Sequence, residues 1–361
     1  MGKLQIIVGG QYGSEAKGAI CAWLALQEDT MLAMRVAGPN AGHTVVDPLT
    51  NRHIALRHIP VAAVVNPHAL LALAPGSEID PLVLQHEIDL LQNEHGINIT
   101  DRLSLDPQAT WLTHEHIEAE RTGSISDRIG STAKGIGAAR ADRLWRKAPL
   151  ISQHPDYTQY HENVADLATN MLQRGVTVQI EGTQGYGLGL HAGHYPQCTS
   201  SDARAIDFAA MAGITPWAPY VTELETWIVL RTHPIRVAGN SGPLRNETNW
   251  ETLSTQMGRT VEERTTVTQK IRRVGEWDIE LAREAIHANG GPSTHVKVAL
   301  TFVDYIFPEL ANQRLTADTL LNHPYMRTYL DELEAELGQP IATVSVGPNT
   351  EHTIDLRKRT R

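Results

Sequence analysis

Aromatic side chains are scarce, at 5% of the 361 residues, too few for the stacking platforms that hold single-stranded nucleic acid. Cysteine is almost absent. Cys21 and Cys198 are the only two, so no disulfide framework is indicated, a reducing compartment fits, and no Cys-x-x-Cys zinc pattern exists. Basic charge is not in excess: 31 Lys and Arg face 41 Asp and Glu, a formal net charge of −10, so an overall basic footprint for nucleic acid is missing. The tail Arg357 to Arg361 reads as a solvated, frayed end. Long apolar runs are lacking as well. The most apolar stretch, Val61 to Ala74, is interrupted by Asn66-Pro67-His68 and is too short to span a bilayer. Met1-Gly2-Lys3 runs straight into a strand pattern without a signal-peptide signature. Gly-x-Ser-x-Gly does not occur, which leaves no hydrolase elbow. His191 and His194 stand at i,i+3 without an acidic neighbour in sequence. No internal repeat, low-complexity tract or linker divides the chain. The expectation is one domain over 1–361, cytoplasmic, with neither nucleic acid nor membrane as partner.

At 41% hydrophobic the chain can build a large core. Leu4 to Val8 is a short apolar run of buried-strand type, followed by Gly9-Gly10-Gln11-Tyr12-Gly13-Ser14-Glu15-Ala16-Lys17-Gly18 and a segment, Ala19 to Gln27, able to form a helix. Strand, glycine loop and helix make a phosphate cradle, with N–H groups at a helix start and a lysine aimed at anionic oxygens. The strict P-loop pattern is G-x-x-x-x-G-K-[ST]. Here Gly13 precedes Lys17 by four and Gly18 replaces the hydroxyl residue, so an ordinary strand–turn–helix connection stays open on pattern alone.

Further apolar runs predict strands at Met31–Val36, Leu70–Ala74, Val176–Ile180, Thr226–Leu230, Val296–Val303 and Ile341–Val346, and a hairpin from Val45-Val46 with Ile54–Ile59. Helical patterns cover Pro81–Glu94, a long segment opened by Pro155, Trp277–Ala288 and Pro324–Leu337. Gly123–Gly137 reads as a loop, and Gly239–Gln269 as polar and poorly periodic. Apolar strands alternating with helices predict an α/β fold with a mostly parallel central sheet, helices on both faces and long loop insertions. Ligands of such sheets sit beyond the carboxyl ends of the strands. That rim receives Gly9–Gly18, Glu181–Gly185, Asp304 and Gly347-Pro348.

Four clusters on or near the rim have chemical potential. Ser14, Lys17 and His43 form the first, although one histidine of 17 is by itself an ordinary surface residue. Ile129 to Gly137 places Ser131 and Thr132 among glycines with Lys134 close by, which suits a phosphate monoester and equally suits plain turn chemistry. Glu181 to Gly185 is a strand-end loop whose Gln184 amide can donate and accept towards a base edge. Val267 to Arg273 carries Lys270, Arg272 and Arg273, a match for a dicarboxylate; without context it reads as a solvated charge run.

Taken in order, these segments resemble the adenylosuccinate synthetases. The family's G-x-Q-W-G-D-E-G-K-G stands here as Gly9 to Gly18, its N-A-G-H-T as Asn40 to Thr44, its I-G-T-T-G-R-G-I-G as Ile129 to Gly137, and its E-G-A-Q-G as Glu181 to Gly185. Y-P-x-x-T-S-S corresponds to Tyr195 to Ser201, the arginine-rich aspartate loop to Thr268 to Arg273, and the closing T-G-P to Val346-Gly347-Pro348. The resemblance implies a P-loop-NTPase-like fold and a two-step ligase that phosphorylates a purine 6-oxo group and then displaces the phosphate with aspartate nitrogen. It implies Ser14, Lys17, His43 and Gln184 as catalytic positions, with His43 the acid and electrostatic partner of the γ-phosphate. The nucleoside triphosphate falls to Gly13, Ser14, Glu15, Ala16, Lys17, Gly18, Gly42, His43, Thr44, Asp304, Gly347 and Pro348. The acceptor nucleotide falls to Ser14, Asn40, Ser131, Thr132, Lys134, Arg146, Gln184, Thr199, Val237 and Gly239. Aspartate falls to Thr268, Gln269, Lys270 and Arg272. Mg²⁺ is implied at Ser14 and the Gly42 carbonyl, and a homodimer through Arg146, which would reach the neighbouring subunit's nucleotide.

Three departures stand out. Ser14 replaces the family's catalytic aspartate, Phe302 replaces the lysine of its K-x-D guanine-reading motif while Asp304 remains, and the chain is shorter than the usual bacterial enzyme, as in the archaeal type. Serine is not a strong base at neutral pH. It leaves room beside N1 and C2 of a purine for a 2-amino group. The exchange resembles the bacteriophage branch of the family, which makes 2-aminoadenine DNA precursors from dGMP. The expected reaction is therefore dGMP with L-aspartate and ATP, or dATP; the alternatives are IMP with GTP, or a nucleotide sensor that has lost catalysis along with its aspartate.

Overall fold

The computed structural model describes residues 2–36, 38–265 and 269–358. Its centre is a nine-stranded sheet. In chain order the strands are β1 (Lys3–Gly9), β2 (Thr30–Arg35), β3 (Leu70–Leu73), β4 (Leu103–Leu105), β5 (Thr177–Glu181), β6 (Glu223–Arg231), β7 (Val296–Thr301), β8 (Ile341–Ser345) and β9 (Thr353–Asp355). Their spatial order is β9-β8-β7-β6-β1-β5-β2-β3-β4. Every pairing is parallel except β8 with β9.

β1 lies in the middle because its side chains suit burial on both faces. Leu4, Ile6 and Val8 enter one core, with Ala168 and Leu172 of α3 (Val164–Gln173), Ala285 of α5 (Ile279–Ala288) and Leu330 of α6 (Met326–Leu337). Ile7 enters the other, with Ile20 and Leu24 of α1 (Lys17–Gln27) and Leu84 and Leu91 of α2 (Pro81–His95). Each fully buried aliphatic side chain contributes roughly 1.5–3 kcal/mol. The central register sets Ile7 opposite Trp227 of β6 and Glu181 of β5, so the ends of these strands share one rim.

The α/β, mostly parallel sheet flanked by helices is as predicted, and the predicted strands and the hairpin (His43–Val46 with His53–Leu56) are present. Three local expectations were wrong. Gly123–Gly137 is not a plain loop: it holds the helix Ile125–Ile129 and the start of Ile136–Leu144, where the buried Glu120 carboxylate accepts from the N–H groups of Gly135 (2.7 Å) and Gly137 (2.7 Å). Pro155 opens only a short 3₁₀ turn, Pro155–Tyr160. The helix proper begins after Asn163, whose side chain accepts from Asp166 N–H. Gly239–Gln269 contains α4 (Trp250–Met257), capped by Asn249 and ended by Gly258 at φ 62°. Its signals were legible: an Asn N-cap, apolar Trp250, Leu253 and Met257 on one face, and a terminal glycine. Among the described residues, no helix is long and apolar enough to cross a membrane.

Candidate active site

A cavity of about 1150 Å³ opens at the carboxyl ends of β1, β5, β7 and β8. Its floor is the loop after β1. Gly13, Ser14 and Ala16 all lie in the left-handed region, at φ 86°, 59° and 65°, a strain of roughly 1–3 kcal/mol for each non-glycine residue. The surroundings over-determine it. The fully buried Glu15 carboxylate accepts from Gln11 N–H (3.1 Å), Gly13 N–H (2.8 Å) and Lys17 Nζ (2.7 Å). Arg231 Nη1 donates to the Ser14 carbonyl at 2.9 Å and Thr301 Oγ1 to the Glu15 carbonyl at 2.9 Å. Gly9 and Gly185 make room for that carboxylate, since a Cβ on either would lie 2.6 Å or 2.5 Å from one of its oxygens.

Beside the loop, His43 Nδ1 stands 2.5 Å from Oε1 of Glu181. Glu181 also receives Arg35 Nη1 (3.1 Å) and Val61 N–H (3.0 Å), and Arg35 is completely buried, donating to the carbonyls of Leu56 and Ala41. Burial, then the Arg35 charge, push the His43 pKa down to about 4 against the pull of Glu181. The ring is thus neutral near pH 7, and with Glu181 ionised its proton is assigned to Nδ1.

Arg272 donates to the Ser14 hydroxyl. Arg231 pairs with Glu263, which also accepts from Tyr305 Oη at 3.1 Å. The Arg231 guanidinium lies 3.9 Å over the Phe302 ring. Arg259 Nη2 bonds Asp304 Oδ2 at 2.6 Å.

The residues expected from sequence converge here to a large extent. Gly13, Ser14, Ala16, Lys17, Gly18, Gly42, His43 and Thr44 line the cavity, as do Asp304, Gly347 and Pro348. Asn40, Ser131, Thr132, Lys134, Gln184, Val237 and Gly239 line it too, together with Lys270 and Arg272. Glu15 lies beneath the wall rather than in it. Thr199 is half-buried outside it, its N–H on the Leu188 carbonyl. Gln269 and Arg146 are exposed and off the cavity, Arg146 bonding the Leu144 carbonyl. Thr268 falls outside the described residues. His191, for which sequence offered no acidic neighbour, has one in space: Asp202 Oδ2 at 2.5 Å.

Sequence reasoning missed Arg35, Arg231, Arg259 and Glu263, and missed Glu181 as the partner of His43. The available signal was a charged residue at the carboxyl end of a buried strand, as with Arg35, Glu181 and Arg231. For a metal the donor set is lean. No cluster of three or more His, Cys, Asp or Glu forms among the described residues, the Ser14 hydroxyl receives a cation, and Gly42 contributes a backbone carbonyl to the wall. Such a set suits Mg²⁺ that arrives on a triphosphate rather than Mg²⁺ caged by protein.

A family model described as adenylosuccinate synthetase matches residues 6–154 and 150–307. The chain belongs to the adenylosuccinate synthetase family. It is thus a C–N-bond-forming ligase. Adenylosuccinate synthetases of Thermococcus sibiricus and Pyrococcus horikoshii are each 35% identical to it, over 98% of this chain and 98% of theirs. That of Methanocaldococcus jannaschii is 35% identical over 98% and 96%. Among solved structures, cyanophage S-2L succinoaminodeoxyadenylate synthetase (PurZ), bound to dGMP and to dATP as an energy donor, aligns with a TM-score of 0.80 at 28% identity, covering 98% of this chain and 95% of that one. The fully ligated adenylosuccinate synthetase of Plasmodium falciparum aligns at 0.83 with 20% identity, covering 99% and 100%, a likeness of fold. The synthetase fold accounts for the shared rim.

Proposed function

We propose that the chain joins L-aspartate to C6 of dGMP at the expense of ATP or dATP, giving 2-amino-2′-deoxy-N6-succinyladenylate, the nucleoside diphosphate and phosphate. The observation that carries this reading is Ser14, exposed in the cavity floor where the family has an aspartate. A carboxylate there would crowd and repel nothing on hypoxanthine but would occupy the space of a purine 2-amino group. The serine hydroxyl leaves that space free and keeps a lone pair for the amino N–H. The cyanophage protein supports the reading through its dGMP and dATP. Phe302 supports ATP over GTP, because no lysine covers the donor base.

In this reading the 6-oxo oxygen attacks the γ-phosphorus and the nucleoside diphosphate leaves; aspartate nitrogen then attacks C6 and expels phosphate. Neutral His43, held by Glu181, faces the γ-phosphate as hydrogen-bonding partner, and Lys17 and the loop N–H groups hold the triphosphate. Gln184, Ser131, Thr132 and Lys134 hold the acceptor, Lys270 and Arg272 the aspartate carboxylates. Mg²⁺ would neutralise phosphate charge during the transfer, with the Gly42 carbonyl its contact in the chain. With serine at position 14, the N1 proton leaves by water or substrate-assisted transfer. Residues 1–361 act as one domain and as a homodimer: Arg146 is exposed next to Leu144 and Trp145, themselves 75% and 73% exposed, as a side chain that reaches a second copy should be.

A second reading, IMP with GTP, draws on the curated archaeal relatives and on the retained Asp304. Side-by-side kinetics with dGMP, GMP and IMP, each with ATP, dATP and GTP, decide between them. Turnover of IMP well above dGMP overturns the dGMP reading. Nucleotide binding with no aspartate-dependent release of phosphate would instead favour a sensor.

A further inference from the structure

Asp304 lines the cavity and stands where the resemblance puts the aspartate of the K-x-D guanine-reading motif, and it is already engaged. Arg259 Nη2 bonds its Oδ2 at 2.6 Å, and both residues line the cavity. The pair is built rather than incidental. Arg259 follows Gly258, the left-handed residue that ends α4, and its backbone N–H bonds the Ser254 carbonyl at 3.2 Å. The Ser254 hydroxyl in turn pairs with both the N–H (2.9 Å) and the carbonyl (3.1 Å) of Val261, so the segment on either side of Arg259 is pinned to the helix. Asp304 sits in a short turn packed at the end of β7 and is 8% exposed. The Arg259 side chain is 37% exposed, so part of its guanidinium fork stays open to the cavity while another part holds Oδ2.

We propose that Arg259 determines the donor base: by occupying one oxygen of Asp304 it turns a guanine reader into a donor–acceptor pair that suits adenine. A lone carboxylate reads guanine with two oxygens, one for N1–H and one for the 2-amino group. With Oδ2 committed to a guanidinium, that bidentate contact is gone. Adenine presents an N6–H donor for Oδ1 and an N1 acceptor for an Arg259 N–H, and has no third group on that edge. Guanine can offer O6 and N1–H to the same pair, but its 2-amino group then loses the second carboxylate oxygen that a free Asp304 would give it, the kind of mismatch by which sites reject near-isosteric ligands. Phe302 fits the same logic. The lysine that would have supplied a second cation is absent, and the Phe302 ring is covered by Arg231 instead, which leaves Arg259 as the cation that meets Asp304.

This inference rests on the ATP reading of the donor, and the test separates the two. The full-length chain is assayed with ATP, dATP and GTP as wild type, R259A, R259K and R259A/D304N. The wild type prefers ATP. R259A raises the ratio of kcat/KM for GTP over ATP by at least tenfold, R259K raises it less, and the double variant returns it towards wild type because an amide oxygen accepts only one of guanine's two donors at full strength. Protection against thermal unfolding by ADP and GDP gives the same order without turnover, which keeps the inference testable in a slow variant. If the wild type prefers ATP and R259A loses ATP and GTP use equally, Arg259 is structural and the inference fails while the donor reading stands. If the wild type prefers GTP, the donor reading fails first and this inference with it.

Discussion

His43 Nδ1 lies 2.5 Å from the Oε1 atom of Glu181, and Glu181 is itself completely buried against Arg35. The histidine is thereby fixed in one tautomer and one orientation by a carboxylate that water does not reach. Glu181→Gln keeps the shape and removes the charge. It lowers kcat by about 10–100-fold, the usual effect of an outer partner that orients a reacting group, with KM for aspartate nearly unchanged. It also leaves Arg35 unpaired, which costs about 3–5 kcal/mol. Steady-state kinetics alongside a denaturant melt separate the two effects, and a variant with wild-type kcat would show that His43 needs no such support.

Ser14→Asp returns a carboxylate to the cavity floor. Arg272, which now donates to the serine hydroxyl, gains an ion-pair partner there. The kcat/KM ratio for dGMP over IMP falls by tenfold or more, because the carboxylate excludes the 2-amino group and meets the N1–H of hypoxanthine. An unchanged ratio in the two-acceptor assay would count against the dGMP reading.

Gly185→Ala tests the loop scaffold without replacing a charged residue. The new Cβ would lie 2.5 Å from both the Gln11 carbonyl and Glu15 Oε1, closer than real carbons approach. The loop that holds Gln11 and Glu15 must shift. The dissociation constant for a non-hydrolysable triphosphate rises at least tenfold by calorimetry, while far-ultraviolet dichroism stays as in the wild type.

Acid stability follows from three buried histidines. Burial, helped by neighbouring arginines, pushes the pKa of His43 to about 4, of His58 to about 3 and of His233 to about 4, from an ordinary 6.5. The folded chain therefore keeps these rings neutral at pH values where the unfolded chain protonates them. Between pH 6.5 and about 4 the unfolded state binds more protons, so stability falls as pH falls, by up to about 1.4 kcal/mol per pH unit for each ring. Thermal melts from pH 7.5 to 4.5 should show a steady drop in Tm starting near pH 6.5. The triple variant with His43, His58 and His233 each replaced by Asn should flatten that slope.

Periodicity placed the strands and the long helices because buried parallel strands are short continuous apolar runs and surface helices repeat every three to four residues. It failed where order comes from caps and contacts. The helix Ile125–Ile129 is five residues long, and the strands Leu103–Leu105 and Thr353–Asp355 are three residues each, too short to carry a pattern.

The linear sequence by itself determined that a short apolar run, a glycine-rich stretch and Lys17 follow one another at the start of the chain and that position 14 is a serine, since both are statements about which atoms the chain possesses. Only the tertiary structure decided which distant charges meet. Glu181 with Arg35 and His43, Arg231 with Glu263, Arg272 with Ser14, and Arg259 with Asp304 join positions between 32 and 258 residues apart. Such pairings arise because parallel strands deliver their carboxyl ends to one rim, where a charge leaving an apolar strand must find its partner across the sheet rather than along the chain.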